Sequence, residues 1–289
     1  MRGNNDNFIM LPTVDFCFKE LMQNEKVRNA FIAALLKQKT ENIKETILLP
    51  TILEKKSIDD KQGILDVRVL LRDGIQIDME MQVAYFAYWD KRALFYLSKM
   101  FASQLKQGDS YDKLKKCIHV SILDFIHFPD DDEFYRVIHF HEDESFRLYT
   151  DLLELQILEL KKIPEEIQRG DDIINWMQFF NGRNRKELEQ MAQKNEHMKI
   201  AYDTLLELSA DEQKRLEYEA REKALRDYNS QMESSLQIGY ERGMKQGIEK
   251  VIKITRLSHQ GMSAQEISAA CDMSLAETEK ILKELCVIG

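Results

Sequence analysis

The chain has 289 residues, 44% of them apolar and 31% charged, with four prolines and a formal net charge of -9. This balance excludes a disordered chain and describes a helix-rich globular protein long enough for one large α/β domain and a smaller helical unit. It also offers no overall basic surface for non-specific attraction to phosphates, although a local basic patch or a divalent cation between carboxylates and phosphate can serve on an acidic protein.

Cys17, Cys117, Cys271 and Cys286 lie far apart and form no CxxC pair. Their spacing argues against a zinc cluster and a disulfide framework and for a reduced, cytoplasmic location. Neither a signal peptide nor an apolar run of roughly 18 residues is present, so no membrane association is expected.

In chain order, "DFCFKELMQNEKVRNAFIAALL" from Asp15 predicts one or two short helices carrying Lys19 and Glu20 in the first turns. An extended "ETILLP" leads into two strand-like runs between Gly63 and Phe86. Asp90 to Leu105 then fits a helix stopped by Gly108. Strands are expected in "CIHVSILDF", "FYRVIHFHED" and "FRLYTDLLELQILEL", where apolar alternation and aromatics favour β structure. Helix, strands, crossover helix and strand in this order describe an α/β domain.

After about Pro164 the composition turns to Glu, Lys, Gln, Arg, Leu and Ala, which predicts long helices over residues 172–256. Gly239, Gly243 and Gly247 recur there at intervals of four, as either a close-packing stripe or a poorly helical segment. The last block carries Ser263 with Glu266 and Ser274 with Glu277, two capping boxes around a short "CDM" turn. That pattern predicts a helix-turn-helix with Ile267, Ala270, Met273 and Ile281 as its core, serving DNA contact, oligomerisation or regulation.

The run "GILDVRVLLRDGIQIDMEMQVAYF" is the most informative. A three-residue turn of Arg72, Asp73 and Gly74, with Gly74 in the left-handed bulge position, pairs Leu71 with Ile75. Continued outward, this register sets Arg68 opposite Asp78 as ordinary charge complementation, and Asp66 opposite Glu80. Two carboxylates across a hairpin repel; they are accommodated either by a divalent cation between them or by splaying into solvent. Gln82 shares the face of Glu80 and Asp78, while Ile77, Met79, Met81 and Val83 line the other. On the following helix Arg92, Tyr96 and Lys99 stand at i, i+4 and i+7, on one face. The histidines form no transition-metal set: His139 and His141 share one side of a strand, His119 and His127 are separate, and surface or packing roles are expected. No P-loop and no Ser-centred nucleophile elbow occurs, so no nucleotide cofactor is indicated.

Asp66 on one strand, followed after a short turn by Glu80-Met81-Gln82 on the next, resembles the PD-(D/E)xK motif in the form used by the Rpn family of recombination-promoting nucleases, also described as PD-(D/E)xK-family transposases. The resemblance extends to "DFCFKEL", to the stretch from "EMQVAYFAYW" through "CIHVSILDF", and to "LLELQILELKKIP", covering about residues 8 to 165 closely and the remainder loosely.

The resemblance implies a restriction-endonuclease-like α/β core, a mixed β-sheet flanked by helices, followed by a helical C-terminal region. Together with the change of composition and the capping pattern, it divides the chain into a nuclease-like core over 1–165, a long helical extension over 166–256 and a helix-turn-helix-like tail over 257–289. Asp66 and Glu80 would bind Mg²⁺ or Mn²⁺, with Glu20 as an additional ligand, for which Asp15 competes. Gln82 stands where the usual motif has lysine; an amide orients water but supplies no charge and no general base. Lys99 is the expected substitute for that lysine, with Lys19, Arg92, Tyr96 and Lys99 as nucleic-acid contacts. The implied activity is metal-dependent hydrolysis of double-stranded DNA with little sequence preference, linked to recombination or mobile elements, and with pairing of copies through the helical region. The alternative is a catalytically weak DNA-binding or protein-interaction module of mobile-element origin.

Overall fold

A computed structural model of the chain describes residues 8–53, 61, 63–164 and 172–287. In chain order it forms α1 (Asp15–Gln23), α2 (Glu25–Leu35), β1 (Thr46–Leu49), β2 (Ile52–Leu53), β3 (Gly63–Ile64), β4 (Val67–Leu71), β5 (Gln76–Gln82), α3 (Trp89–Ala102), β6 (Cys117–Leu123), β7 (Tyr135–His141), β8 (Leu148–Glu159), α4 (Asp172–Asn181), α5 (Arg185–Ala192), α6 (Glu196–Ala210), α7 (Glu212–His259), α8 (Ala264–Cys271) and α9 (Leu275–Val287). Two compact units divide between Lys223 and Ala224.

In the first unit six strands form one mixed sheet in the order β1-β4-β5-β6-β8-β7. β1, β4 and β5 are antiparallel, β5, β6 and β8 run parallel, and β7 returns antiparallel on β8. The architecture is that of a restriction-endonuclease-like α/β fold. The predicted hairpin register is observed: Leu71 N–H donates to Ile75 O at 2.8 Å and Arg68 lies opposite Asp78. Gly74 has φ +90°, and a Cβ there would meet Lys115 Cγ at 2.9 Å, so the turn requires glycine twice over.

Strand alternation gives the sheet two faces. Ile77, Met79, Met81, Ile118, Val120 and Ile122 share one large core with α1, α2, α4 and α6, where Phe31 contacts Trp176 and Phe180 with ring centroids 5.4 and 5.0 Å apart. On the other face α3 makes two smaller clusters, one of Trp89, Ala93, Leu123 and Ile157 and one of Leu97, Met100 and Cys117. Between these two clusters β5 and β6 carry polar residues.

The boundary expected at 165/166 falls outside the described residues. The helices that follow it do not form a separate extension: Trp176, Phe180, Leu188 and Leu205 belong to the same core as the sheet. Their large apolar side chains bury the sheet face that α1 and α2 leave open, so this unit runs on to Lys223.

In the second unit both predicted capping boxes are formed, Ser263 with Glu266 and Ser274 with Glu277. Ile254, Ile267 and Cys271 are buried there with Leu257, Met262, Met273 and Ile281 against them. Ala270 is exposed, against expectation; Cys271, one residue and about 100° further round α8, takes the inward position. Gly239, Gly243 and Gly247 lie within α7, and a Cβ at any of them would meet nothing among the described residues. Cys17, Cys117 and Cys271 are free and buried. Among the described residues no helix is long and apolar enough to cross a membrane.

Candidate active site

The polar residues of β5 and β6 meet because the two strands are parallel and in register, which puts Asp78 beside His119 and Glu80 beside Ser121 on the α3 face. Asp66 sits at the bend just before β4, one step beyond the last paired residues Val67 and Met79. That register brings its charge to bear on both Asp78 and Glu80.

Glu80 is almost wholly buried, and among the described residues one cation pairs with it: Arg92 of α3 places Nη2 3.0 Å from Oε2. The same nitrogen donates to Gln82 Oε1, while Gln82 Nε2 donates to Ala84 O at 3.2 Å. Burial first, then the like charges of Asp78 and Asp66, push the Glu80 carboxyl up to about 7, with His119 and Arg92 pulling the other way. Burial also raises Tyr96, with Glu80 adding to it, and the Arg92 guanidinium lies 5.7 Å from the Tyr96 ring centre.

Asp78 and His119 form a feature that local sequence reasoning missed. Asp78 Oδ2 lies 2.7 Å from His119 Nδ1, and His119 Nε2 lies 2.9 Å from Ser121 Oγ, all fully buried. Burial drives Asp78 well above the usual carboxylate range and His119 below the usual imidazole range. Both directions favour a neutral pair, with an Asp78 hydroxyl donating to Nδ1 and the Nε2 hydrogen donating to Ser121. Asp78 Oδ1 has no hydrogen-bond partner among the described residues. Arg68 faces Asp78 in register, but its Nη2 donates to Gln76 Oε1 at 2.8 Å, so the expected charge pair is replaced by the histidine contact. The alternation of polar residues in "CIHVSIL" was the only local signal for His119, because its partner lies 41 positions away.

The structure thus brings together Asp66, Glu80, Gln82, Arg92 and Tyr96. Lys19 joins them through its Nζ, 2.8 Å from Asp66 Oδ1 and 3.7 Å from Asp15 Oδ2. Burial works against the Lys19 charge, but Asp66 outweighs it and raises the ammonium pKa. Two expected residues are not brought in. Glu20, rotated about 100° from Lys19 on α1, pairs with Lys214 of α7 at 2.7 Å. Lys99, two turns beyond Arg92 on α3, donates to the Lys61 carbonyl at 2.7 Å. Arg92, in the first turn of α3, is the α3 cation that contacts the motif residues.

Among the described residues no cluster of three carboxylate, histidine or cysteine side chains forms a ready metal site. The donor chemistry nevertheless fits a hard divalent cation: Asp66 and Glu80 offer oxygen ligands, and the weakened acidity of Glu80 together with the Asp78 oxygen that lacks a partner among the described residues marks a centre short of positive charge. Mg²⁺ is typically held by one or two carboxylates, with water and phosphate oxygens completing its shell.

A mixed sheet whose hairpin carries an aspartate before one strand and Glu-x-Gln at the end of the next defines a nuclease-like core of the PD-(D/E)xK class. The chain belongs to the PD-(D/E)XK nuclease family transposases, whose family model matches residues 12–235. No curated protein and no solved structure matches it.

Proposed function

We propose that the chain is a divalent-metal-dependent endonuclease that hydrolyses DNA phosphodiester bonds with little sequence preference, in recombination or mobile-element movement. The observation that carries this reading is Glu80: a buried glutamate at the motif position, raised to about 7 among like charges with one arginine in contact. A fold-building carboxylate is normally compensated by its neighbours, whereas one that is left under-compensated suits a cation brought by the reaction.

Asp66 and Glu80 would hold Mg²⁺, or Mn²⁺ in its place, and the bound ion supplies phosphate polarisation and a more acidic attacking water. Gln82 lies at the same strand end, where its amide can orient that water by hydrogen bonding. Arg92 contributes a permanent positive charge for the transition-state phosphate, the electrostatic part of the motif lysine's role. Arginine is not a general base, so proton removal falls to water or to the phosphate. Lys19, whose Nζ lies 2.8 Å from Asp66 Oδ1, would contact the phosphate.

The test is cleavage of supercoiled plasmid and linear duplex with Mg²⁺, Mn²⁺ or EDTA, comparing the unaltered protein with Asp66→Ala and Glu80→Ala. Metal-dependent nicking lost in both variants supports the reading; equal nicking by the variants overturns it. A second reading, a DNA-binding module that does not cleave, draws on Arg92 already engaging both Glu80 and Gln82. It is favoured by retention of DNA in EDTA with no cleavage in any metal.

A further inference from the structure

The six residues between β5 and α3, Val83 to Tyr88, place three large rings in solvent directly after Gln82: Tyr85 is 59% exposed, Phe86 41% and Tyr88 60%. Rings in a connecting loop are usually turned into the core, and the next residue does so: Trp89 is buried against Ala93, Leu123 and Ile157 and anchors the start of α3. The exposed rings are held in defined positions. Phe86 and Tyr88 meet edge to face with centroids 5.9 Å apart, and Tyr85 meets Phe125 in the same way at 5.5 Å.

Cations interleave with these rings. Lys91 Nζ lies 5.4 Å from the Tyr88 ring centre, and the Arg92 guanidinium lies 5.9 Å from that of Phe86. Arg92 is also the residue in contact with Glu80 and Gln82, so one side chain links the ring cluster to the carboxylate centre. Exposed aromatic faces beside basic groups form the combination that binds single-stranded nucleic acid, through base stacking and backbone charge. A regular duplex keeps its base faces stacked on one another and offers a protein only groove edges and phosphates.

We propose that the Tyr85–Phe86–Tyr88 loop is a base-stacking platform that selects DNA whose bases are unpaired beside the cleavage position. The inference rests on the nuclease reading for the adjacent phosphate site, and it names the substrate: single strands, or duplexes with a melted, looped or flapped segment. Arg92 then has two tasks, toward the phosphate at the carboxylates and toward the base on Phe86.

Binding can be measured apart from cleavage by fluorescence anisotropy in EDTA, using the full chain with labelled single-stranded DNA, the same sequence as duplex, a duplex with an unpaired loop, and single-stranded RNA. Single-stranded and looped DNA should bind at least about tenfold more tightly than duplex. Tyr88→Ala and Tyr85→Ala should each remove most of that preference, whereas Tyr88→Trp should retain it. The Tyr88 carbonyl, which accepts from Arg92 N–H at 3.1 Å, is unaffected by these changes. A 2-aminopurine base in the single strand should be quenched on binding, and Tyr88→Ala should restore its emission.

Equal affinity for duplex and single strand, or ring variants that bind as the unaltered chain does, would overturn the proposal even if Asp66-dependent cleavage is found. Ring-dependent quenching with no cleavage in any metal would sustain the platform and count against the nuclease. Tighter binding of RNA than of DNA would refute the DNA assignment, and no nucleic-acid binding with a folded protein would leave these rings as a surface for another protein.

Discussion

Glu80 and Glu154 lie on the same sheet and are equally hidden, each with its side chain 6% exposed. Their acidities nevertheless move in opposite directions. Burial favours the neutral form in both. At Glu154, hydrogen bonds from Gln156, Lys116 and His139 outweigh burial, and its carboxyl falls below the ordinary value. Lys116 Nζ lies 2.6 Å and His139 Nε2 2.8 Å from its Oε2. At Glu80 the neighbours include Asp78 and Asp66, and Arg92 does not offset them. Equal exposure to solvent therefore does not distinguish the two; the local balance of charge sets Glu80 of the proposed site apart from Glu154, its structural counterpart in the same fold.

This contrast can be broken most sharply by cleavage. Asp66→Ala and Glu80→Ala should each lower DNA nicking by more than about 100-fold, a loss larger than that typical for groups that only orient a metal ligand. Glu154→Gln should leave nicking within about twofold. Comparable losses at Glu80 and Glu154 would show that both merely maintain the fold.

Stability should separate the two next. With its folded value raised from 4.5 to about 7, Glu80 binds a proton more readily in the folded state, so its ionisation weakens folding as pH rises through that window. Glu80→Gln should therefore stabilise the metal-free protein at pH 8, by at most about 3 kcal/mol. The gain should vanish below about pH 4.5, where glutamate is protonated in both states. Denaturant melts at the two pH values measure this, and destabilisation by Glu80→Gln at pH 8 would contradict the like-charge account.

Glu154→Gln should act the other way and cost about 1–3 kcal/mol near neutral pH, because it removes the charge facing Lys116 and leaves one acceptor oxygen where Gln156 uses one and Lys116 and His139 share the other. The contribution of Glu154 is present above its unfolded value and is lost as pH falls through its lowered folded value, so the penalty should shrink in acid. The smallest effect lies in the pH–rate curve. Its acidic limb should reflect the raised Glu80 and move to lower pH as Mg²⁺ concentration increases, since cation and proton compete for the same carboxylate. A limb that ignores metal concentration would separate Glu80 from metal binding.

Much of the fold was legible in local pattern. The Arg72-Asp73-Gly74 turn determined the hairpin register down to Arg68 opposite Asp78, because side chains alternate strictly along strands and glycine accepts a positive φ. The capping boxes at Ser263 and Ser274 appeared as read, since each bond spans three residues. The Asp66 and Glu-x-Gln pattern followed from the same hairpin.

Contacts between distant positions were not legible. His119 was assigned to surface or packing and is the buried partner of Asp78, because the parallel β5–β6 register depends on where α3 lets the chain return. Lys99 was preferred to Arg92, although helical spacing places both on one face and leaves open which turn lies over the end of β5. Glu20 was offered as a ligand and pairs with Lys214, 194 positions further on.

The amino-acid sequence by itself thus determined the strands, the turn, the caps and the two carboxylates brought together by a single hairpin, all set by interactions a few residues in range. Only the tertiary structure decided which cation reaches Glu80, that Asp78 is held by a histidine, and that the helices after residue 172 complete the core. Those outcomes depend on parallel pairing and helix packing across long stretches of chain, where hydrophobic burial selects the arrangement and many local patterns are equally compatible with it.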